Sequence, residues 1–238
     1  MVVMAVFSAL SLATGTGFGA EDEAKVGADD SAIMLYKGKP YLHVIHKGRS
    51  VKVQRVQDPD YELRGYYAKT ARPCPPFCIG PMEVDRSVRT IGEIELFHFM
   101  ENQLRDGLGL LIDARTPEWH AKGTIPGSIN IPFTDLSKDV EDIEMIEALL
   151  LFGAKQREPV GALTQTLEQW GVLDADHMTD KWDFTDCQEL VLWCNGPECG
   201  QSPRAIRGLL AAGYPAEKIY YYRGGMQLWQ LWGLTTVN

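Results

Sequence analysis

The chain has 238 residues, 45% of them hydrophobic and 23% charged. At about 100–200 residues per domain this allows one or two domains and a sizeable core, and it excludes a disordered, collagen-like or polytopic membrane protein. Lysine and arginine total 23 against 32 aspartates and glutamates, a formal net charge of −9. That balance argues against nucleic-acid partners and anionic membrane surfaces, which need basic patches.

Residues 1–20 carry no charge and end in small residues, with Glu21, Asp22 and Glu23 following at once. The pattern predicts a secretory signal peptide, although no Lys or Arg precedes the apolar core. The alternative is an uncleaved N-terminal anchor, the one case in which the protein meets a membrane. The expected location is outside the cytoplasm, in the periplasm, where disulfides persist.

Residues 21–87 read as a small β-rich segment. Tyr41–His46 and Val51–Val56 are β-branched or alternating runs joined by Lys47, Gly48 and Arg49. His43 and His46 stand three apart on a predicted strand, so they face opposite sides and are given no metal role. Residues 72–81, RPCPPFCIGP, hold four prolines and a glycine and predict a rigid connector. Cys74 and Cys78 bracket its Pro-Pro-Phe. A disulfide is the leading expectation for them. A metal site would need two further ligands, and no Cys-x-x-Cys partner or paired histidine supplies them.

From Val88 onward, predicted strands and helices alternate, which implies a parallel sheet with helices on both faces. Thr90-Ile-Gly-Glu93 fits a capping box, with Ile94, Phe97, Met100 and Leu104 at helical spacing and Gly107 and Gly109 as the stop. Leu110–Ala114 predicts a buried strand. Val140, Ile143, Ile146 and Leu150 mark a helix whose start carries Asp139, Glu141 and Asp142. One or two short helices are expected within 155–187. Leu190–Cys194 predicts a second buried strand, and Ser202-Pro203 a helix start with serine as cap. Ile206, Leu209 and Leu210 line that helix, Gly213 and Pro215 end it, and Lys218–Tyr222 is a last strand.

The informative constellation is a strand ending in cysteine, then a loop, then a helix start. It places Cys194 at the carboxyl end of a strand, where ligand sites of open parallel sheets lie. Asn195, Gly196, Pro197, Glu198, Cys199, Gly200 and Gln201 form the loop that leads to Ser202. Two glycines let its amides turn inward, and with the helix start they favour an anion at the sulfur and lower its pKa. A thiolate so held attacks a sulfur atom and carries the product as a persulfide. Cys187, just before the strand, reads as a packing residue.

From Val88 to Asn238 the chain resembles the rhodaneses, the thiosulfate-type sulfurtransferases. The resemblance rests on Asp113-Ala-Arg115-Thr-Pro-Glu118 with Gly123-Thr-Ile-Pro-Gly-Ser-Ile-Asn-Ile-Pro132, on Leu192-Trp-Cys194 with its loop, and on Arg223-Gly-Gly-Met-Gln-Leu-Trp229. It implies a rhodanese-like α/β fold over 88–238, behind the segment 21–87, with Cys194 as the sulfur-accepting nucleophile and the following loop as its anion cradle. Asp113 and Arg115 would support site and fold. No cofactor is implied; the partners are a small sulfur-containing anion and a thiol acceptor, small-molecule or protein. The Pro-Cys-Pro-Pro-Phe-Cys stretch is similar to one seen in exported bacterial rhodanese-like proteins.

Two departures bear on the substrate. Ser202 lies eight residues after Cys194, where the commoner loop has six, which predicts a wider mouth. Gln201 stands where many relatives carry arginine, which weakens thiosulfate as the donor, and Arg204 is expected to replace that charge in part. Gly200 occupies the position at which a phosphatase of this fold would carry its phosphate-clamping arginine, which argues against phosphatase chemistry. Cys199 raises a second reading, a thiol–disulfide redox protein that uses Cys194 and Cys199. A third is a non-catalytic sulfur carrier or binding module. If the connector lies near the mouth, Cys74 and Cys78 become a candidate redox pair for Cys194.

Overall fold

The structure is a computed structural model that describes residues 33–173 and 175–238. The stretch read as a signal peptide or anchor, residues 1–20, lies outside the described residues. The first described elements are β1 (Tyr41–His46) and β2 (Arg49–Gln54), an antiparallel hairpin in which His46 pairs with Arg49. Its two-residue turn places Lys47 at φ 47° and Gly48 at φ 74°. Positive φ at both central residues matches the right-handed twist of the strands.

The central sheet follows from the apolar runs. It comprises β3 (Arg89–Ile91), β4 (Gly109–Asp113), β5 (Ser128–Asn130), β8 (Glu189–Trp193) and β9 (Ile219–Tyr222), in the spatial order β3-β9-β8-β4-β5. Every neighbouring pair is parallel. Between β5 and β8, β6 (Lys155–Gln156) and β7 (Trp182–Asp183) form a small antiparallel pair. The helices are α1 (Glu93–Phe99), α2 (Pro117–His120), α3 (Ile143–Leu151), α4 (Ala162–Gln169), α5 (Gln201–Ala211) and α6 (Gly225–Leu231). Central strands buried on both faces require apolar residues at every position. Side chains on β4 and β8 alternate between two cores accordingly. Ile112 and Leu192 pack with Leu149, Phe152, Ile206 and Leu209 on one side. Leu111, Val191 and Trp193 pack with Phe97, Met100 and Trp229 on the other. Leu42, Val44 and Val53 of the hairpin belong to that second core.

Three local expectations shift. Thr90 lies in β3 and donates its hydroxyl to the Met82 carbonyl, while the Gly92 amide donates to Glu95 Oε2 at the start of α1. The cap thus moves two residues along, because Thr90 is held in the sheet. The α3 stripe is also rotated. Met145, Ala148 and Leu149 are buried, whereas Ile143 is 67% and Leu150 50% exposed. That helix carries apolar residues on both faces, so its period has two solutions. Finally, α5 starts at Gln201, with Gly200 as its cap residue. Ser202 is therefore inside the first turn and its hydroxyl is free for another partner. Pro203 remains tolerable there because first-turn amides have no helical acceptor to lose.

Candidate active site

Cys194 follows the last residue of β8 and lies beneath the first turn of α5, with only 2% of its surface exposed. The signature at 223–229 explains the placement. The Met226 and Gln227 amides, at the start of α6, donate to the carbonyls of Cys194 and Asn195 at 2.9 Å each. Gly225 permits this approach: it sits at φ +53°, and a Cβ there would lie 2.3 Å from the Cys194 carbonyl oxygen. Two helix starts therefore converge on one cysteine, and the loop between them closes a turn through Cys199 N–H to the Gly196 carbonyl at 2.9 Å.

Around the sulfur, Ser202 donates its hydroxyl to Cys194 Sγ at 3.0 Å, and the Cys199 carbonyl oxygen lies 3.5 Å away. Burial by itself would push the Cys194 thiol up. Hydrogen bonds from the Cys199 thiol, the Ser202 hydroxyl and the amides of Ser202 and Gly196 outweigh burial and bring it down to about 7. Donors to the charged form favour that form. The neighbouring Cys194 sulfur, together with partial burial, holds the Cys199 thiol well above its ordinary range. Cys199 Sγ lies 3.5 Å from Gln201 Oε1 and 4.0 Å from Asn195 Nδ2. Cys187 is buried in the α3–α5 core, as a packing residue would be.

Asp113 and Arg115 form a fully buried pair behind the loop. Arg115 Nη2 meets Asp113 Oδ2 at 2.6 Å and Nε meets Oδ1 at 2.8 Å, while its guanidinium lies 4.7 Å from the centre of the Trp193 ring. Thr124 and His120 also contact Asp113 Oδ2, each at 2.9 Å. Burial would raise the Asp113 carboxyl, but the hydrogen bonds and charge of Arg115 and the His120 contact hold it below the ordinary carboxylate range.

Two contributors escaped the sequence reading: Tyr67, just before the connector, and Arg72, its first residue. Arg115 Nη1 donates to the Tyr67 hydroxyl at 3.3 Å, which donates to Asn195 Oδ1 at 2.7 Å. Burial pushes the Tyr67 phenol up to about 12, so it remains a donor. Arg72 Nη1 pairs with Glu198 Oε1 at 2.8 Å, while its guanidinium stacks 4.0 Å from the Tyr66 ring centre. The Gly80 amide donates to the Pro197 carbonyl at 2.8 Å. Cys74 and Cys78 are joined by a disulfide within this strap, with Cα atoms 4.6 Å apart. No sequence signal pairs Tyr67 with Asn195, 128 positions away.

Two expectations are corrected here. Arg204, expected to bring charge toward the sulfur, is exposed, and its guanidinium lies over the Phe133 ring, 5.0 Å from the centre. Helical geometry turns it outward, two residues beyond the inward-facing Ser202. Nor does the longer loop leave a wide mouth. The strap bonds the loop at Asn195, Pro197 and Glu198, and Cys194 is almost wholly enclosed. Among the described residues, no group of three or more His, Cys, Asp or Glu side chains is arranged to hold a metal ion.

A parallel five-stranded sheet with a loop-cradled cysteine at the end of a central strand defines a class of protein, and sequence comparison agrees. The rhodanese-like domain model matches residues 98–231, more than half of the chain. The chain belongs to that family. It is similar to a human single-domain sulfurtransferase, with 25% identity over 60% of this chain and 96% of that one and a TM-score of 0.36. A rhodanese-related protein from Thermoplasma volcanium shares 20% identity over 63% of this chain and 97% of that one, TM-score 0.34. The thiosulfate sulfurtransferase from Pseudomonas aeruginosa shares 16% identity over 66% of this chain and 21% of that one, TM-score 0.36. No curated protein matches the sequence.

Proposed function

We propose that the protein is a sulfurtransferase that moves a sulfane sulfur through a persulfide on Cys194. The observation that carries this reading is the hydrogen-bonded sulfur itself: an enclosed Cys194 whose Sγ accepts from the Ser202 hydroxyl at 3.0 Å at the head of α5, an arrangement that lowers the thiol's pKa. A thiolate at neutral pH is the required nucleophile. Attack on a donor of the form R–S–S⁻ makes the Cys194 S–S bond, breaks the donor's, and expels the donor remainder as its thiolate or sulfite. The terminal sulfur then passes to a thiol or other soft acceptor, and Cys194 returns as thiolate. Loop donors to the sulfur would serve the anionic persulfide as they serve the thiolate. Export is part of the same proposal, because the Cys74–Cys78 disulfide suits an oxidising compartment.

The test uses inorganic polysulfide as donor and peptide mapping by mass. Cys199→Ser leaves Cys194 as the one thiol in the loop, and its hydroxyl can still donate. This variant is expected to gain one sulfur on the Cys194 peptide, and the Cys194→Ser/Cys199→Ser double variant none. A Cys199→Ser chain that folds and gains no sulfur at Cys194 overturns the reading.

A further inference from the structure

The sulfurtransferase reading needs one cysteine, and the site holds two free ones, Cys194 and Cys199. The turn from Gly196 to Cys199 folds the second back on the first, so that the Cys199 carbonyl oxygen lies 3.5 Å from the Cys194 sulfur and Asn195, next to Cys194, reaches the Cys199 sulfur with its Nδ2 at 4.0 Å. The pair is not buried equally: Cys194 is enclosed, whereas Cys199 is partly open. A Cβ built at Gly200 would meet nothing within 4 Å, so open space borders the loop just past Cys199.

We propose that Cys199 resolves the Cys194 persulfide and releases its outer sulfur as hydrogen sulfide, leaving a Cys194–Cys199 disulfide. This rests on the persulfide reading and adds a reductive outcome to it. The step balances without another reagent. Cys199 sulfur attacks Cys194 Sγ, the inner persulfide sulfur. The Cys194–Cys199 bond forms as the inner–outer S–S bond breaks, and the Cys199 proton leaves on the outer sulfur as HS⁻. Two cysteine sulfurs are oxidised to a disulfide and the sulfane sulfur is reduced to sulfide. The leaving sulfur thus takes its proton from the group that attacks. Return to the starting state takes one equivalent of a dithiol reductant, which leaves as its own disulfide. With a sulfur acceptor in excess the protein transfers sulfur; with a dithiol it makes sulfide.

The experiment loads the full chain with ³⁵S-labelled polysulfide under anaerobic conditions, removes excess donor by rapid desalting, and maps the cysteines without reduction. Wild type is expected to retain no label and to show Cys194 joined to Cys199. Cys199→Ser is expected to retain one labelled sulfur per chain at Cys194. Dithiothreitol added to wild type with continuing donor should sustain sulfide release for many equivalents, and added to Cys199→Ser should release only what the reductant strips directly from the persulfide, at a rate first-order in its concentration. A wild-type chain that holds the labelled persulfide as stably as Cys199→Ser overturns this inference and leaves the transfer reading intact. Failure of Cys199→Ser to take up label overturns both.

Discussion

At the scale of single residues, Ser202 carries two consequences of one small shift in register. Had it capped α5, its hydroxyl would have gone to a backbone amide. Two residues inside the cap, the hydroxyl meets Cys194 Sγ at 3.0 Å and helps hold the thiolate. Alkylation of Cys194 by iodoacetamide should therefore rise with pH through a midpoint of about 7, where an ordinary cysteine titrates at about 8.5. The sign follows from the donors: they favour the anion, so reactivity is present above the lowered midpoint and lost below it. A hydrogen bond to a charged group is worth about 1.5–3 kcal/mol, and each pH unit is about 1.4 kcal/mol. Ser202→Ala should thus move the midpoint up by about 1–2 units. A midpoint that stays put in Ser202→Ala would show that the hydroxyl does not hold the anion.

At the scale of elements, the sheet strands beside the site were legible in the amino-acid order and the strap over it was not. β4 and β8 read correctly because a strand buried on both faces must be uniformly apolar, and Cys194 stood out because it ends such a run. Tyr67 and Arg72 have no local signature; their partners Asn195 and Glu198 lie more than 120 positions on, and only the folded chain brings them together. The face of α3 was misread for a related reason, since an apolar surplus makes helical phase ambiguous. The strap invites its own measurement. The loop that the Cys74–Cys78 disulfide closes is short, so its entropic contribution to stability is below about 3 kcal/mol. Its position matters more, between Arg72 on Glu198 and Gly80 on Pro197. The Cys74→Ser/Cys78→Ser variant should keep its fold but let the strap open more often, and iodoacetamide at pH 8 should reach Cys194 several-fold faster. Equal alkylation rates in variant and wild type would mean that the disulfide does not govern access.

At the scale of the whole molecule, the hairpin ahead of the family-matched region is part of the same core as the site. Residues 33–238 form one compact unit. Leu42 is 2% and Val53 0% exposed, and both lie in the cluster that contains Trp193 and Trp229. Trp193 immediately precedes Cys194 and supports the Arg115 guanidinium. Backbone bonds tie the hairpin to the far end of the chain as well: Val56 N–H donates to the Gly233 carbonyl at 2.7 Å, and Thr235 N–H to the Gln54 carbonyl at 3.1 Å. The N-terminal strands thus cover a sheet face that would otherwise meet water, and they clasp the C-terminal segment after α6, whose first amides hold the Cys194 and Asn195 carbonyls. A small core mutation in the hairpin should therefore be felt globally. Leu42→Ala removes buried methyl groups and leaves a cavity, at a cost of about 2–5 kcal/mol. For a protein of this size each kcal/mol lowers Tm by about 2–4 °C, so circular dichroism should show a single transition about 4–20 °C lower. Were the hairpin an appendage with its own stability, the main transition of Leu42→Ala would keep the wild-type Tm, and a second, smaller transition would carry the loss.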